Sequence, residues 1–276
     1  QKYSHAKAIN AIATGIRGNW DDRREVIAKS PSMVGVLRQA ARAAQSDASV
    51  LLLGESGTGK EIVAQYIHQH SPYRKKQMVA INCTSLPESL LEAELFGYEK
   101  GAFTGAASGG KIGLIEAAAN NTLLLDEVNS MPLSLQAKLL RVLETKAVIP
   151  VGSVKPRAVN FRLICASNVA LAQCVKEGTF RMDLYYRLNV IPITIPPLRE
   201  RREDITPLAD YFLDHFCQKY GLQKEFSSRV YQILNHYKWP GNIRELRNLV
   251  EHMVVMSESS VVKINQIPTA VSYTHL

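Results

Sequence analysis

The chain has 276 residues, 46% of them hydrophobic and 21% charged, with a formal net charge of +8 at pH 7. That length and apolar share suffice for a full core, one large α/β unit plus a small appended domain. Every apolar segment is too short to span a bilayer and no signal peptide is recognisable, which excludes a membrane-spanning helix and leads to a cytoplasmic expectation. The basic residues are scattered: the runs at 17–24, 74–76 and 199–202 are short, and the first and last are interleaved with acids. A solvated surface accounts for such runs, with nucleic acid as the alternative.

Residues 1–25 form a polar, partly helical lead with no core of their own. From 26 to 195 strand and helix signals alternate, the pattern of a parallel sheet with helices on both faces. Residues 49–53 are a short apolar run that reads as a buried strand, and 61–68 carry apolar residues at helical spacing. Between them lies Gly54, Glu55, Ser56, Gly57, Thr58, Gly59 and Lys60, a glycine-rich strand-to-helix loop. Its glycines let backbone N–H groups turn toward an anion, the helix N-terminus adds partial positive charge, and Lys60 can reach outer phosphates. The generic motif places Ser or Thr after the lysine, whereas this chain has Glu61. The usual hydroxyl ligand for magnesium is therefore absent at that position, and metal must depend on phosphate oxygens, water and another carboxylate.

Residues 78–82 read as a strand ending in Asn82. Next come Gly101, Ala102, Phe103, Thr104, Gly105 and Ala106, two glycines around one bulky aromatic, which describes a loop projecting Phe103 and Thr104 outward. The run 122–127 is an apolar strand closing on Asp126 and Glu127. Beside a phosphate loop, Asp126 is the candidate to orient hydrated metal and Glu127 to polarise an attacking water. In isolation such a pair is equally a solvated turn. Asn168 follows the apolar run 161–166, and Arg181 and Arg187 lie six apart near a short helical pattern at 182–188. Pro196-Pro197 breaks the chain, after which 204–219, 227–236 and 242–256 show helical spacing and form a small helical lid. Cys83, Cys165, Cys174 and Cys217 lack paired ligand spacing and read as reduced, buried small residues. The seven histidines, His68 and His70 included, show no metal pattern and read as surface groups.

In this order the motifs resemble the AAA+ central domain of bacterial sigma-54-dependent transcriptional activators, the NtrC-class enhancer-binding proteins. The likeness is carried by Gly54 to Glu61, the run 94–106, Leu125-Asp-Glu127, the run 178–188, Pro196-Pro-Leu-Arg-Glu-Arg201 and Trp239-Pro-Gly-Asn-Ile-Arg-Glu-Leu246. It implies a P-loop AAA+ parallel sheet flanked by helices over 26–195, a helical lid over 196–258, and a truncated linker and unrelated tail over 259–276. It implies ATP hydrolysis with Mg2+, Asp126 at the metal, Glu127 and Asp126 in catalysis, and Asn82 as a polar switch on the glutamate. Asn168 matches a first sensor and Arg244 a second, while Arg181 and Arg187 match fingers into a neighbouring subunit's site, suited by a planar, permanently charged fork. Residues 101–106 would touch sigma-54 within RNA polymerase holoenzyme, in a homo-oligomer expected to be a hexamer. Promoter DNA would be engaged indirectly, since the family's enhancer-binding helix-turn-helix has no counterpart here, and no membrane is involved. Strand-end Asn82 and Asn168 are also ordinary turn formers, and paired surface arginines ordinarily make salt bridges. Another AAA+ machine would share Lys60 and Glu127 but has no reason to carry 101–106; a non-catalytic scaffold would be expected to lose that loop or Glu127.

Overall fold

Near-continuous apolar runs such as Leu51-Leu-Leu53 and Leu123-Leu-Leu125 suit strands covered on both faces, and in the computed structural model they lie at the centre of a parallel sheet. The structure describes residues 26–102 and 110–263. These fall into two units, residues 37–54 with 60–194, and residues 26–36 with 55–59 and 195–263.

The first unit receives the end of α1 (Pro31–Ala43), then β1 (Val50–Leu53), α2 (Lys60–Gln69), β2 (Val79–Asn82), α3 (Glu88–Phe96), β3 (Gly97–Tyr98) and β4 (Lys111–Ile112). It continues through α4 (Leu114–Ala117), β5 (Thr122–Asp126), α5 (Leu133–Thr145), β6 (Ala147–Val148), β7 (Arg157–Ala158), β8 (Arg162–Ser167), α6 (Leu171–Lys176), α7 (Met182–Leu188) and β9 (Ile191–Thr194). Five strands pair in the order β2-β5-β8-β1-β9, all parallel. Leu51, Leu123, Leu125 and Leu163 from the sheet pack with Leu91, Leu95, Leu139 and Leu188 from the helices into one core.

Arg162 and His68 are buried near the amino ends of the strands. Arg162 is fully buried and donates to the carbonyls of Ala44 at 2.9 Å and Ala43 at 2.6 Å, so a cation satisfies carbonyls at the end of α1. Burial lowers its pKa. His68 departs from the expectation of a surface histidine: it is buried, with Nδ1 2.9 Å from Thr122 Oγ1 and Nε2 2.7 Å from Lys76 O. Nε2 must donate to that carbonyl, leaving Nδ1 to accept from the threonine hydroxyl, and burial holds the ring below its ordinary pKa.

A stem carries the segment 99–110. β3 pairs antiparallel with β4, Val151 N–H donates to Gly97 O at 2.9 Å, and Glu99 N–H donates to Val151 O at 3.0 Å. Arg157 forks across this stem, with Nη2 on Glu99 at 2.7 Å and Nη1 on Glu116 at 2.8 Å. The backbones here touch, because a Cβ at Gly113 would lie 2.4 Å from Gly97 N and 2.5 Å from Leu95 O.

The second unit holds α8 (Ile205–Tyr220), β10 (Glu225–Phe226), α9 (Ser228–His236), α10 (Asn242–Met256) and β11 (Val261–Val262), with β10 and β11 paired in parallel. Its core gathers Phe212, Phe216, Leu234, Leu246 and Val250 around Trp239, whose indole N–H donates to Leu234 O at 2.8 Å. The buried carboxylate of Asp204 accepts from Lys29 N–H at 2.5 Å and Ser30 N–H at 2.7 Å, and buried Arg201 donates to Thr58 O at 2.5 Å. Buried charges persist only with such partners.

Because backbone atoms occupy the space that a methyl would need, Gly113→Ala is expected to cost about 1–3 kcal/mol through forced backbone shifts. Urea denaturation should show an earlier midpoint; an unchanged midpoint would mean that the stem is not packed as described.

Candidate functional site

Parallel pairing brings every strand of the sheet to the same carboxyl edge, where ligands of such folds sit. Register sets Asn82 opposite Asp126, Leu125 opposite Cys165 and Leu53 opposite Ser167. The edge therefore presents Asn82, the pair Asp126 and Glu127, the end of β8 with exposed Asn168 behind it, and Gly54. Gly54 N–H donates to Ser167 O at 3.3 Å, which continues the ladder into the start of the loop.

Glu127 has left-handed backbone, φ 52 and ψ 45, an uncommon state for a residue with a side chain and one found at functional turns. Asp126 Oδ1 accepts Glu127 N–H at 3.0 Å, and Glu127 O accepts Ser130 N–H at 2.9 Å, so the turn is closed on itself. Asp126 Oδ2 receives the amide of Asn82 at 3.4 Å. The Asn82 carbonyl oxygen in turn accepts Thr84 N–H at 2.9 Å and the Thr84 hydroxyl at 2.5 Å, which fixes the direction of the amide. Cys83 N–H donates to Asp126 O at 2.9 Å, and its buried thiol is pushed up to about 12, chiefly by burial and then by Asp126 and Glu127. Sequence reading missed Ser167 and Asn129: Ser167 Oγ lies 2.9 Å from Asn129 Oδ1 and 2.7 Å from Val169 O, joining the acidic turn to the end of β8. A lone Ser and a lone Asn carry no signal for that link.

Lys60 opens α2, is buried, and donates to Gly54 O at 2.8 Å, closing the loop on itself. Gly57 and Gly59 take φ of 77 and 99, which glycine alone adopts readily. Glu61 stands in the first turn of α2. The loop tip, 55–59, belongs to the second unit and is held there residue by residue. Arg199 donates twice to Glu55, at 2.6 and 2.8 Å, in the fork geometry that arginine favours. Asn242 Nδ2 donates to Glu55 Oε2 at 3.1 Å and to Ser56 O at 3.0 Å. Ile243 N–H donates to Gly57 O at 3.0 Å, and Arg244 Nη1 donates to Ser56 Oγ at 2.8 Å. The Thr58 hydroxyl donates to Glu55 O at 2.8 Å. A Cβ at Gly57 would lie 2.5 Å from Gly241 O. The Arg199 and Asn242 hydrogen bonds hold the Glu55 carboxyl down to about 2. Of these partners only Arg244 was singled out by sequence; Arg199, Arg201 and Asn242 lay inside the quoted motifs without an assigned task.

Arg181 and Arg187 are exposed at the two ends of α7. Arg181 donates to both carboxylate oxygens of Asp183, at 3.1 and 2.7 Å, and this raises its pKa. Its backbone N–H donates to Gln136 Oε1 at 2.8 Å, while that fully buried amide donates to Met131 O and Thr179 O. Arg187 donates to Leu143 O at 3.2 Å. Met182, Tyr186 and Val190 leave 59%, 68% and 55% of their surfaces open beside these arginines. Of the run 101–106, Gly101 is exposed with φ 77 and Ala102 N–H donates to Glu99 O at 3.1 Å. Phe103, Thr104, Gly105 and Ala106 lie outside the described residues.

Residues 26–194 match the Sigma-54 interaction domain and residues 199–275 the AAA+ ATPase lid domain. UacR of Escherichia coli (strain K12), provisionally named a uric acid sigma-54-dependent transcriptional regulator, is 52% identical over 233 residues, 84% of this chain and 39% of that protein. The regulatory protein AtoC of Escherichia coli (strain K12) is 45% identical over 269 residues, 97% of this chain and 58% of that protein. A crystal structure of NtrX from Brucella abortus in complex with ATP superposes with a TM-score of 0.84 at 30% identity, covering 99% of this chain and 59% of that one. The chain thus spans between 39% and 59% of the length of these three proteins.

Since the Glu55 pKa is lowered from 4.5 to about 2, its contribution to stability is fully present above pH 4.5 and is lost as pH falls toward 2. The stability difference between the wild-type chain and Glu55→Gln is expected to shrink across that window, measured by urea denaturation at several pH values. A difference independent of pH would remove the ion pair from the account. Among the four cysteines, half-buried Cys217 should alkylate first in native protein, with buried Cys83, Cys165 and Cys174 reacting only on unfolding. Peptide mapping checks the order.

Proposed function

From the premise that this chain belongs to the family of sigma-54 interaction domains with an AAA+ lid, we propose that it is the ATP-hydrolysing part of a sigma-54-dependent activator. It remodels the closed promoter complex of sigma-54 RNA polymerase so that an open complex forms and transcription begins. The observation that carries this reading is the carboxyl edge of the sheet, where the register sets Asn82, Asp126 and the ends of β8 and β1 in one row.

Residues 26–195 are on this reading the nucleotide-binding part and 196–258 the lid. ATP suits the loop Gly54 to Lys60, because glycine backbone turned to positive φ lets N–H groups face an anion and Lys60 stands at the helix entrance. The closed bond from Lys60 to Gly54 O is one that a phosphate can take over. Asp126, with the turn's N–H on one oxygen and an amide on the other, would hold Mg2+ through water, and the metal would neutralise phosphate charge. Glu127 orients the attacking water, and its left-handed backbone fixes where the carboxylate starts from. Asn82, seated on Asp126, acts on Glu127 through the acidic turn that both acids share. Asn168 reads the terminal phosphate from the end of β8, and Arg244 couples the lid to nucleotide, starting from its bond to Ser56.

Arg181 and Arg187 act on the ATP of a neighbouring copy, so hydrolysis needs an oligomer, which we take to be a hexamer. The pairing of Arg181 with Asp183 is solvent-exposed and is cheap to exchange for phosphate. Exposed Met182 and Tyr186 on the same short helix, with Val190 just after it, supply apolar surface for that neighbour. Gly101 to Ala106 contact sigma-54, and promoter DNA is reached through the polymerase. We place the protein in the cytoplasm; among the described residues no helix is long and apolar enough to cross a membrane.

Glu127→Gln is expected to keep ATP binding and to lower turnover by about 100-fold or more, the usual worth of a positioned base. Normal turnover would remove Glu127 from that role. Thr104→Ala should retain ATPase activity and lose capture of sigma-54; joint loss of both would make the loop structural. Mixing Arg181→Ala chains with Lys60→Ala chains should recover part of the activity that neither has alone, and no recovery would place the arginine's action within its own subunit.

A further inference from the structure

Asn242 is fully buried and takes φ 53, a left-handed state that asparagine tolerates better than most residues. Its side-chain oxygen accepts Leu198 N–H at 2.8 Å, and its amide nitrogen gives one proton to Glu55 Oε2 and the other to Ser56 O. With a donor on one side and two acceptors on the other, the amide has a single orientation that satisfies it. One side chain therefore joins the segment after Pro196-Pro197, the start of α10 and the phosphate loop. Its neighbours continue the grip, Ile243 on Gly57 O and Arg201 on Thr58 O.

Each of these contacts is made to an acceptor of the tip: a carboxylate or a carbonyl. A bound polyphosphate needs the opposite groups, the backbone N–H donors, pointing together. Fixing the carbonyls of Ser56, Gly57 and Thr58 fixes the peptide planes, and hence the direction of the N–H groups on the far side of each plane. We propose that Asn242 is a positioning residue for nucleotide binding, one that orients the tip of the phosphate loop through its acceptors without itself touching the nucleotide. This rests on the reading of residues 54–60 as the nucleotide loop.

The inference is tested with the full chain by titrating a fluorescent N-methylanthraniloyl ATP and by measuring KM and kcat for ATP. Asn242→Asp replaces both donors with acceptors and sets a second carboxylate against Glu55. It should raise the Kd about tenfold, the loss of roughly one well-made hydrogen bond to a charged group. Adding Glu55→Gln supplies a donor to that carboxylate, while Ser56 O still lacks one and the Arg199 fork loses an acceptor, so the Kd should return part of the way toward wild type, a rescue that a residue needed only for folding would not give. Asn242→Gly keeps the left-handed backbone comfortable and so guards against misfolding; it too should raise Kd and KM by more than it lowers kcat. Wild-type affinity in Asn242→Gly overturns the proposal, as does a weakening of Asn242→Asp that Glu55→Gln leaves uncorrected. If the wild-type chain itself fails to bind the nucleotide, the reading of residues 54–60 falls instead.

Discussion

The parallel register of β2, β5, β8 and β1 is the constraint on which the site depends. Parallel strands all end on one side, so four short runs deliver Asn82, Asp126, Ser167 and the start of the glycine-rich loop at Gly54 to one edge without further instruction. Asn82 lies across from Asp126 because β2 and β5 pair residue by residue from Val79 and Leu123. Slipping that register by one residue would exchange the faces of β2 and take Asn82 off Asp126. Val79 and Ile81, which pack against the core, resist such a slip, since they would have to give their places to residues of the opposite face such as exposed Ala80. Packing energy that belongs to the core thus maintains a geometry that belongs to the edge.

The loop at 54–60 is a different kind of structure, its tip held by polar contacts. Glycines at 57 and 59 give it the required backbone at a cost in conformational freedom. Directed hydrogen bonds from Arg199, Arg201, Asn242, Ile243 and Arg244 to residues 55–58 offset that cost. The loop leaves β1 at Gly54 and enters α2 at Lys60, and residues 55–59 between them belong to the same unit that carries the lid helices. A conformational change of the lid motif Trp239 to Arg244 and a change at the loop tip are therefore not independent events. The stem of 99–110 is bound in a comparable way, through Val151 and the Arg157 fork, on the sheet unit.

Much of this was legible in the residues. The strand runs ending at Leu53, Asn82 and Asp126, the helix 182–188 and the three lid helices follow from periodicity and breakers, and their places in the structure agree. The two-residue ladders β3–β4 and β6–β7 were not foreseen, because two residues have no period to detect. Glu55 and Arg199 are separated by 144 positions, and no local rule couples them; only the fold does. His68 misled for a related reason: a histidine without a metal pattern reads as a surface group until Thr122 and Lys76 are known to satisfy both ring nitrogens. Asn82 was legible as a strand end, whereas its seat on Asp126 depended on the neighbouring strand.

The central claim is that nucleotide chemistry at the sheet edge controls engagement of sigma-54 by this chain. It is tested most directly by incubating the purified chain with sigma-54 and ADP plus aluminium fluoride, a mimic of the hydrolysis transition state, alongside ADP alone, and resolving complexes by native gel or size exclusion. A stable complex in the first mixture and none in the second is the result this account expects. ATP hydrolysis without any nucleotide-dependent complex would leave the ATPase in place and contradict the coupling to transcription.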